Sequence, residues 1–176
     1  MRDPGAVERM KTALERNMKA LGARPAIGRG TAVTKVTIRG ACTADIEDGG
    51  WKLIADEPVK DGGGGEGPDP GVFGRASLGS CLAMGYAQWA SVLGVPLDSI
   101  EVEVHADYDG NAIFGLDRSK PPGWGAVRYL VRIESSAPAA DVQRVIDEAD
   151  KLSPLLDDFS RALKVEREVQ ITAPTV

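Results

Sequence analysis

The residue in this chain best suited to covalent chemistry is Cys81, a thiol set in the almost uncharged run LGSCLAMGYAQWASVLGV. A thiolate attacks electrophiles, whereas a thiol buried in apolar surroundings stays protonated and slow unless a cation or hydrogen bond favours the anion. Local help is sparse. Cys81 lies about three turns into its predicted helix, beyond the first turn where the helix dipole acts. Arg75 is six residues back and points elsewhere, while Ser77, one turn earlier, is placed to donate a hydrogen bond. Cys42 sits in a β-rich stretch and reads as a half-buried strand cysteine. Two cysteines and one histidine do not give a zinc spacing, and the carboxylates at Asp157, Asp158, Glu166 and Glu168 read as solvated faces. Gly62–Gly65 lack the Gly-Lys-Ser/Thr of a phosphate loop, and His105 falls on the polar side of an alternating strand.

The elements that must position these residues follow from pattern. Asp3 and Pro4 cap a helix whose apolar residues Val7, Met10, Leu14, Met18 and Leu21 recur at helical spacing, and Gly22 is expected to stop it. Residues 31–39, 41–47 and 51–56 are β-rich and separated by Gly40 and by the turn signal Gly49-Gly50, which predicts an antiparallel meander. The Gly/Pro-rich stretch 57–70 is expected to be irregular. It delivers Asp69 as N-cap and Pro70 at N1 of a long helix that ends at Gly94. Strands are predicted at 99–108 and 126–134, with Ile100, Val102 and Val104 on one face of the first and Val127, Tyr129, Val131 and Ile133 on one face of the second. Between them runs a punctuated loop, bracketed by Tyr108, Phe114 and Trp124, whose aromatic rings are candidates to wall an apolar pocket near Cys81. Residues 139–152 form an amphipathic helix, LLDDFSRAL a short one, and 165–172 a closing strand.

The fold class expected is α+β, with a mostly antiparallel sheet around a long buried central helix. The domain reading is a helical extension over residues 1–22 and a single domain over 23–176. The central helix is apolar or small in nearly every direction and spans roughly 33 Å, more than one twisted sheet covers. The stripe Gly74, Ser77, Cys81, Gly85 and Gln88 would let another backbone approach, so a homodimer built on this helix is expected. The chain has 21 basic and 26 acidic residues, net −5, with no cationic run, which argues against nucleic acid or an anionic membrane as partner. The apolar run carries Gly, Ser and Gln and reads as a buried helix rather than a membrane span. MRDPGAVERMK has no apolar core of a secretory signal, and the cysteine usage suits a reducing, cytoplasmic setting.

The run from Asp56 to Val104, DEPVKDGGGGEGPDPGVFGRASLGSCLAMGYAQWASVLGVPLDSIEVEV, resembles the central block of the OsmC/Ohr family: a DEP, glycine-rich and Gly-Pro-x-Pro approach to a long cysteine-bearing helix, then a strand. KLSPLLDDFSRAL followed by VEREVQI is similar to the family's second motif, a Cys-Pro segment with a helix and a final strand. The resemblance covers residues 31–172. It implies an intertwined homodimer and thiol-dependent reduction of organic hydroperoxides, with no cofactor beyond an external thiol reductant. It puts the peroxidatic thiol at Cys81 and the resolving cysteine at Ser153, where this chain has a hydroxyl. The family glutamate falls on Gly71 or Val72, neither a carboxylate. Its arginine belongs to the N-terminal region, where Arg24, Arg29 and Arg39 are available, with Arg39 the candidate. Ser77, Phe114 and Trp124 are the candidate ligand contacts. The alternative is a non-catalytic dimer of this fold that binds or senses a small apolar molecule.

Overall fold

The spine of the molecule is α2 (Pro70–Leu93), 24 residues long, and its ends are those the sequence dictates. The Asp69 carboxylate accepts from the Val72 amide, Pro70 occupies the first turn, and Gly94 adopts φ 68°, a left-handed conformation that costs glycine least. The computed structural model describes residues 3–173, a mixed α+β chain with two antiparallel sheets.

One sheet pairs β4 (Ser99–Asp107) with β5 (Ala126–Glu134), placing Val102 opposite Val131 and Val104 opposite Tyr129. Their inward residues, with Ile100, pack on Leu78, Leu82 and Tyr86 of α2, all of them fully buried. The outward positions carry charge: Arg132 pairs with Glu101 and Glu103, Arg128 with Asp107 at 2.7 Å, and His105 with Glu103 at 2.9 Å. Strict alternation therefore sorts one apolar and one solvated face. α4 (Ala139–Lys151) crosses α2 through Val145 and Ala149, with Ala149 passing over Gly85 at a distance where an added Cβ would sit in ordinary contact, 3.7 Å away. Leu152, expected on the buried stripe, is exposed beyond the helix end. Then comes α5 (Pro154–Ser160), capped by Ser153. It stops at Ser160 because Arg161 turns extended and pairs with Asp157 and Asp158, so Ala162 and Leu163 lie outside it.

α1 (Pro4–Ala23) starts as expected, with the Asp3 carboxylate accepting from the Gly5 and Ala6 amides, and it packs on α2 with Val7, Met10 and Leu14 half-buried. Gly22 does not stop it; the helix runs one residue further, to Ala23. Between β4 and β5, the one-turn α3 (Gly110–Ile113) is capped by Asp109. No helix of the described residues is long and apolar enough to cross a membrane.

The second sheet is the expected meander, β1 (Lys35–Ile38), β2 (Ala44–Asp48) and β3 (Trp51–Ala55), with Gly49 at φ 54° in the turn. Residues 31–34 lie outside it. Its side chains Val36, Ile38 and Trp51 are exposed, Trp51 to 75%. The closing strand expected at 165–172 is not formed: residues 161–173 carry no ladder, and Ile171 is 92% exposed. Alternation prepares a segment to pair, but a strand exists only where an edge receives its hydrogen bonds, and this segment is not laid along an edge of either described sheet.

Candidate functional site

The approach to α2 is organised by one buried carboxylate. Asp56, 1% exposed, accepts from the Glu57 amide at 2.8 Å and, through its other oxygen, from Thr43 Oγ1, Gly64 N and Glu66 N at 3.1 Å each. These bonds, that from Glu66 foremost, hold its pKa below the ordinary carboxylate value. The glycines of this loop are required sterically: a Cβ at Gly63 would lie 1.9 Å from the Glu57 carbonyl oxygen. Folded this way, the loop turns Glu66 toward Arg39. The two make a paired contact, Nη2 to Oε2 at 2.8 Å and Nη1 to Oε1 at 3.4 Å, and Arg39 Nε donates to Asp45 at 3.2 Å. The Glu66 hydrogen bond, then that from Asp45, raises the Arg39 pKa.

An arginine held by a glutamate is thus present, but with its carboxylate at Glu66 rather than at Gly71 or Val72. Sequence reading missed Glu66 because it sought the acid on the helix, and the available signal was a lone glutamate closing the glycine run of 62–65. Arg39 spends its guanidinium on Glu66 and Asp45, and within the described residues the hydrogen-bond partner of the Cys81 sulfur is Ser153.

That contact joins two elements far apart in sequence. Cys81 Sγ lies 3.5 Å from Ser153 Oγ, and Ser153, 7% exposed, also accepts from the Leu156 amide at 3.3 Å as cap of α5. With its oxygen serving as acceptor to Leu156, the hydroxyl hydrogen is free to point at sulfur. The turn carrying Ser153 is tied down just upstream. Asp150 accepts from Tyr86 Oη at 2.7 Å and Tyr129 Oη at 2.9 Å, and its carbonyl accepts from Ser153 N at 3.3 Å. Burial, then the bond to Asp150, raises the pKa of both phenols, that of Tyr129 to about 12. One carboxylate thereby fastens α2, β5 and the α4–α5 turn together.

The other expected contacts divide. Trp124 lies over the first turns of α2, where a Cβ at Gly74 would come within 2.7 Å of its ring, and it stacks on Phe159 with centroids 5.9 Å apart and planes at 8°. Phe114 is 80% exposed at the end of α3. Ser77 is exposed and donates to the Gly74 carbonyl at 2.8 Å, so its hydroxyl is committed to its own helix instead of Cys81. The small-residue stripe is also partly used within the chain: Trp124 covers Gly74, Ser153 meets Cys81 and Ala149 meets Gly85. On α2 it is Pro70, Val72, Ala76, Ser77, Ser80 and Met84 that remain exposed. A different side of the helix, with Val72, Arg75, Ala76, Gly79 and Ser80, faces Val102 and Val104 across an open groove of about 280 Å³.

An α+β chain with a half-buried thiol on a sheet-backed central helix, met by a Ser-Pro helix start, defines a class, and comparison with known proteins agrees. Residues 63–168 match the OsmC family, described as OsmC-like protein, and the chain belongs to that family. No curated protein sequence matches it significantly. Among solved structures it is similar to an OsmC-like protein from Mycoplasma pneumoniae, 12% identical with a TM-score of 0.64 over 74% of this chain and 88% of that one. It is also similar to an organic hydroperoxide resistance protein OsmC from Legionella pneumophila, 15% identical with a TM-score of 0.52 over 74% and 89%. A third is an organic hydroperoxide resistance protein from Elizabethkingia anophelis, 15% identical with a TM-score of 0.53 over 74% and 88%. At such identities the likeness speaks for the fold.

Proposed function

We propose that the chain is a thiol-dependent reductant of organic hydroperoxides with Cys81 as its reacting group, working as a homodimer in a thiol-reducing cytoplasm. The observation that carries this reading is the 3.5 Å contact between Cys81 and Ser153, the two positions on which the family's cysteines fall. The Cys81 thiolate attacks the distal peroxide oxygen, the O–O bond breaks, the alcohol leaves after protonation, and sulfur becomes a sulfenic acid. A hydroxyl at 153 forms no disulfide. An external small thiol therefore condenses with the sulfenic acid, releasing water, and a second thiol restores Cys81 as it leaves in a disulfide. Ser153 donates to the sulfur in place of resolving it. The dimer is supported by the uncovered meander and by the alternating, unpaired segment 161–173, surfaces that a second copy would cover.

The engagement of Arg39 by Glu66 and Asp45 supports a second reading, a dimer of the same fold that binds a small apolar ligand without turnover. Rapid mixing with cumene hydroperoxide separates the two. The peroxidase reading expects single-turnover oxidation of Cys81 at least tenfold faster than free cysteine, trapped by dimedone and lost in Cys81→Ser. Oxidation no faster than free cysteine rejects it.

A further inference from the structure

We propose that the groove between the N-terminal half of α2 and β4 is a binding site for a medium-chain carboxylate, with Arg75 holding the acid head and the groove walls its apolar chain. The walls are Val72, Ala76, Gly79, Val102 and Val104, and the polar lining is Arg75 and Ser80.

Arg75 is half-buried yet makes no hydrogen bond or ion pair with any described residue. On β5, by contrast, Arg128 and Arg132 each meet a carboxylate. The acid nearest in sequence, Asp69, caps the Val72 amide instead of pairing with Arg75. A partly desolvated guanidinium beside apolar walls is under-satisfied, and a carboxylate is the group that matches its fork with two parallel hydrogen bonds.

Two glycines shape the place. A Cβ at Gly71 would lie 3.3 Å from Arg75 Nη1, so the missing side chain leaves room for the guanidinium to fold back over the first turn. A Cβ at Gly79 would lie 3.2 Å from Val104 Cγ2, tighter than ordinary contact, so a side chain there would crowd the floor. The groove is short, about 280 Å³ and open to solvent along one side, a size that suits a medium-chain acid such as octanoate better than a long-chain one.

The site is separate from the thiol. At 100° per residue, Cys81 projects roughly opposite to Val72, Ala76 and Gly79, and it meets Ser153 on the far side of the helix. A ligand in the groove does not reach the sulfur, and the proposal stands whether or not Cys81 reduces hydroperoxides.

Calorimetric titration of the full chain, in the oligomeric state in which it purifies, tests this with octanoate against 1-octanol. Saturable octanoate binding is expected, with octanol at least tenfold weaker. Arg75→Gln should weaken octanoate about tenfold, to the octanol level, and Arg75→Lys should recover part of the loss. Ala76→Phe, a substitution at an exposed helical position, should fill the groove and abolish binding with unchanged circular dichroism. Cys81→Ser should leave binding intact. Equal affinity for the acid and the alcohol, indifference to Arg75→Gln, or no saturable binding because a second copy occupies the groove would each overturn the proposal.

Discussion

The β4–β5 pair and the β1–β3 meander are built from the same alternation, yet they end differently. Ile100, Val102, Val104, Tyr129 and Val131 of β4 and β5 pack on the buried cluster of Leu78, Leu82 and Tyr86 of α2, whereas Val36, Ile38 and Trp51 of the meander face solvent. What separates them is a backing surface within the chain: β4 and β5 have a 24-residue apolar helix behind them, and no helix of the described residues packs comparably on the meander. Hydrophobic alternation thus specifies a face, and the rest of the chain decides whether that face is covered.

Leu82→Ala probes the covered half most severely. Leu82 is 1% exposed, and truncating it should cost about 2–5 kcal/mol in urea unfolding. A loss under about 1 kcal/mol would mean that α2 is not packed as described. A smaller effect concerns Asp56, which joins the meander to the glycine loop. Its folded pKa lies below the ordinary 3.8, so its contribution is complete above that value and is lost as pH falls through the depressed folded value. Protection of the Gly64 and Glu66 amides against hydrogen exchange should therefore decline below about pH 4 in the parent chain. In Asp56→Asn it should be low and flat across the same range, and a steep decline there would assign the effect to another acid. The smallest effect is expected from Val36→Thr on the exposed strand, within about 0.5 kcal/mol when the chain is dilute. If a second copy covers β1, the unfolding midpoint of this variant will drop with dilution more than the parent's, as light scattering and melts on one dilution series would reveal.

Much of this arrangement was legible in residue types. Asp69-Pro70 and Gly94 bound α2, Gly49-Gly50 the hairpin, and the alternation of 99–107 and 126–134 both strands and their inner faces, because each signal is local and finds its partner within the chain. The strand read at 165–172 failed for the opposite reason, since pairing depends on an edge that sequence does not reveal. At the site, Cys81 and Ser153 stood out singly, but their contact across 72 positions depends on how α5 folds back over α2. Glu66 and Asp150 escaped notice because a carboxylate's role there is set by three-dimensional neighbours: a loop turned by Asp56, and two phenols from different elements.

The Cys81–Ser153 contact has a mechanical consequence. A sulfur–sulfur bond of about 2.05 Å at this place would staple the central helix to the start of α5 and reset each time a reductant opened it. With oxygen on one side the two helices touch but cannot be latched, so the oxidation state of the thiol would be carried by that one atom and would not be written into the backbone as a cross-link.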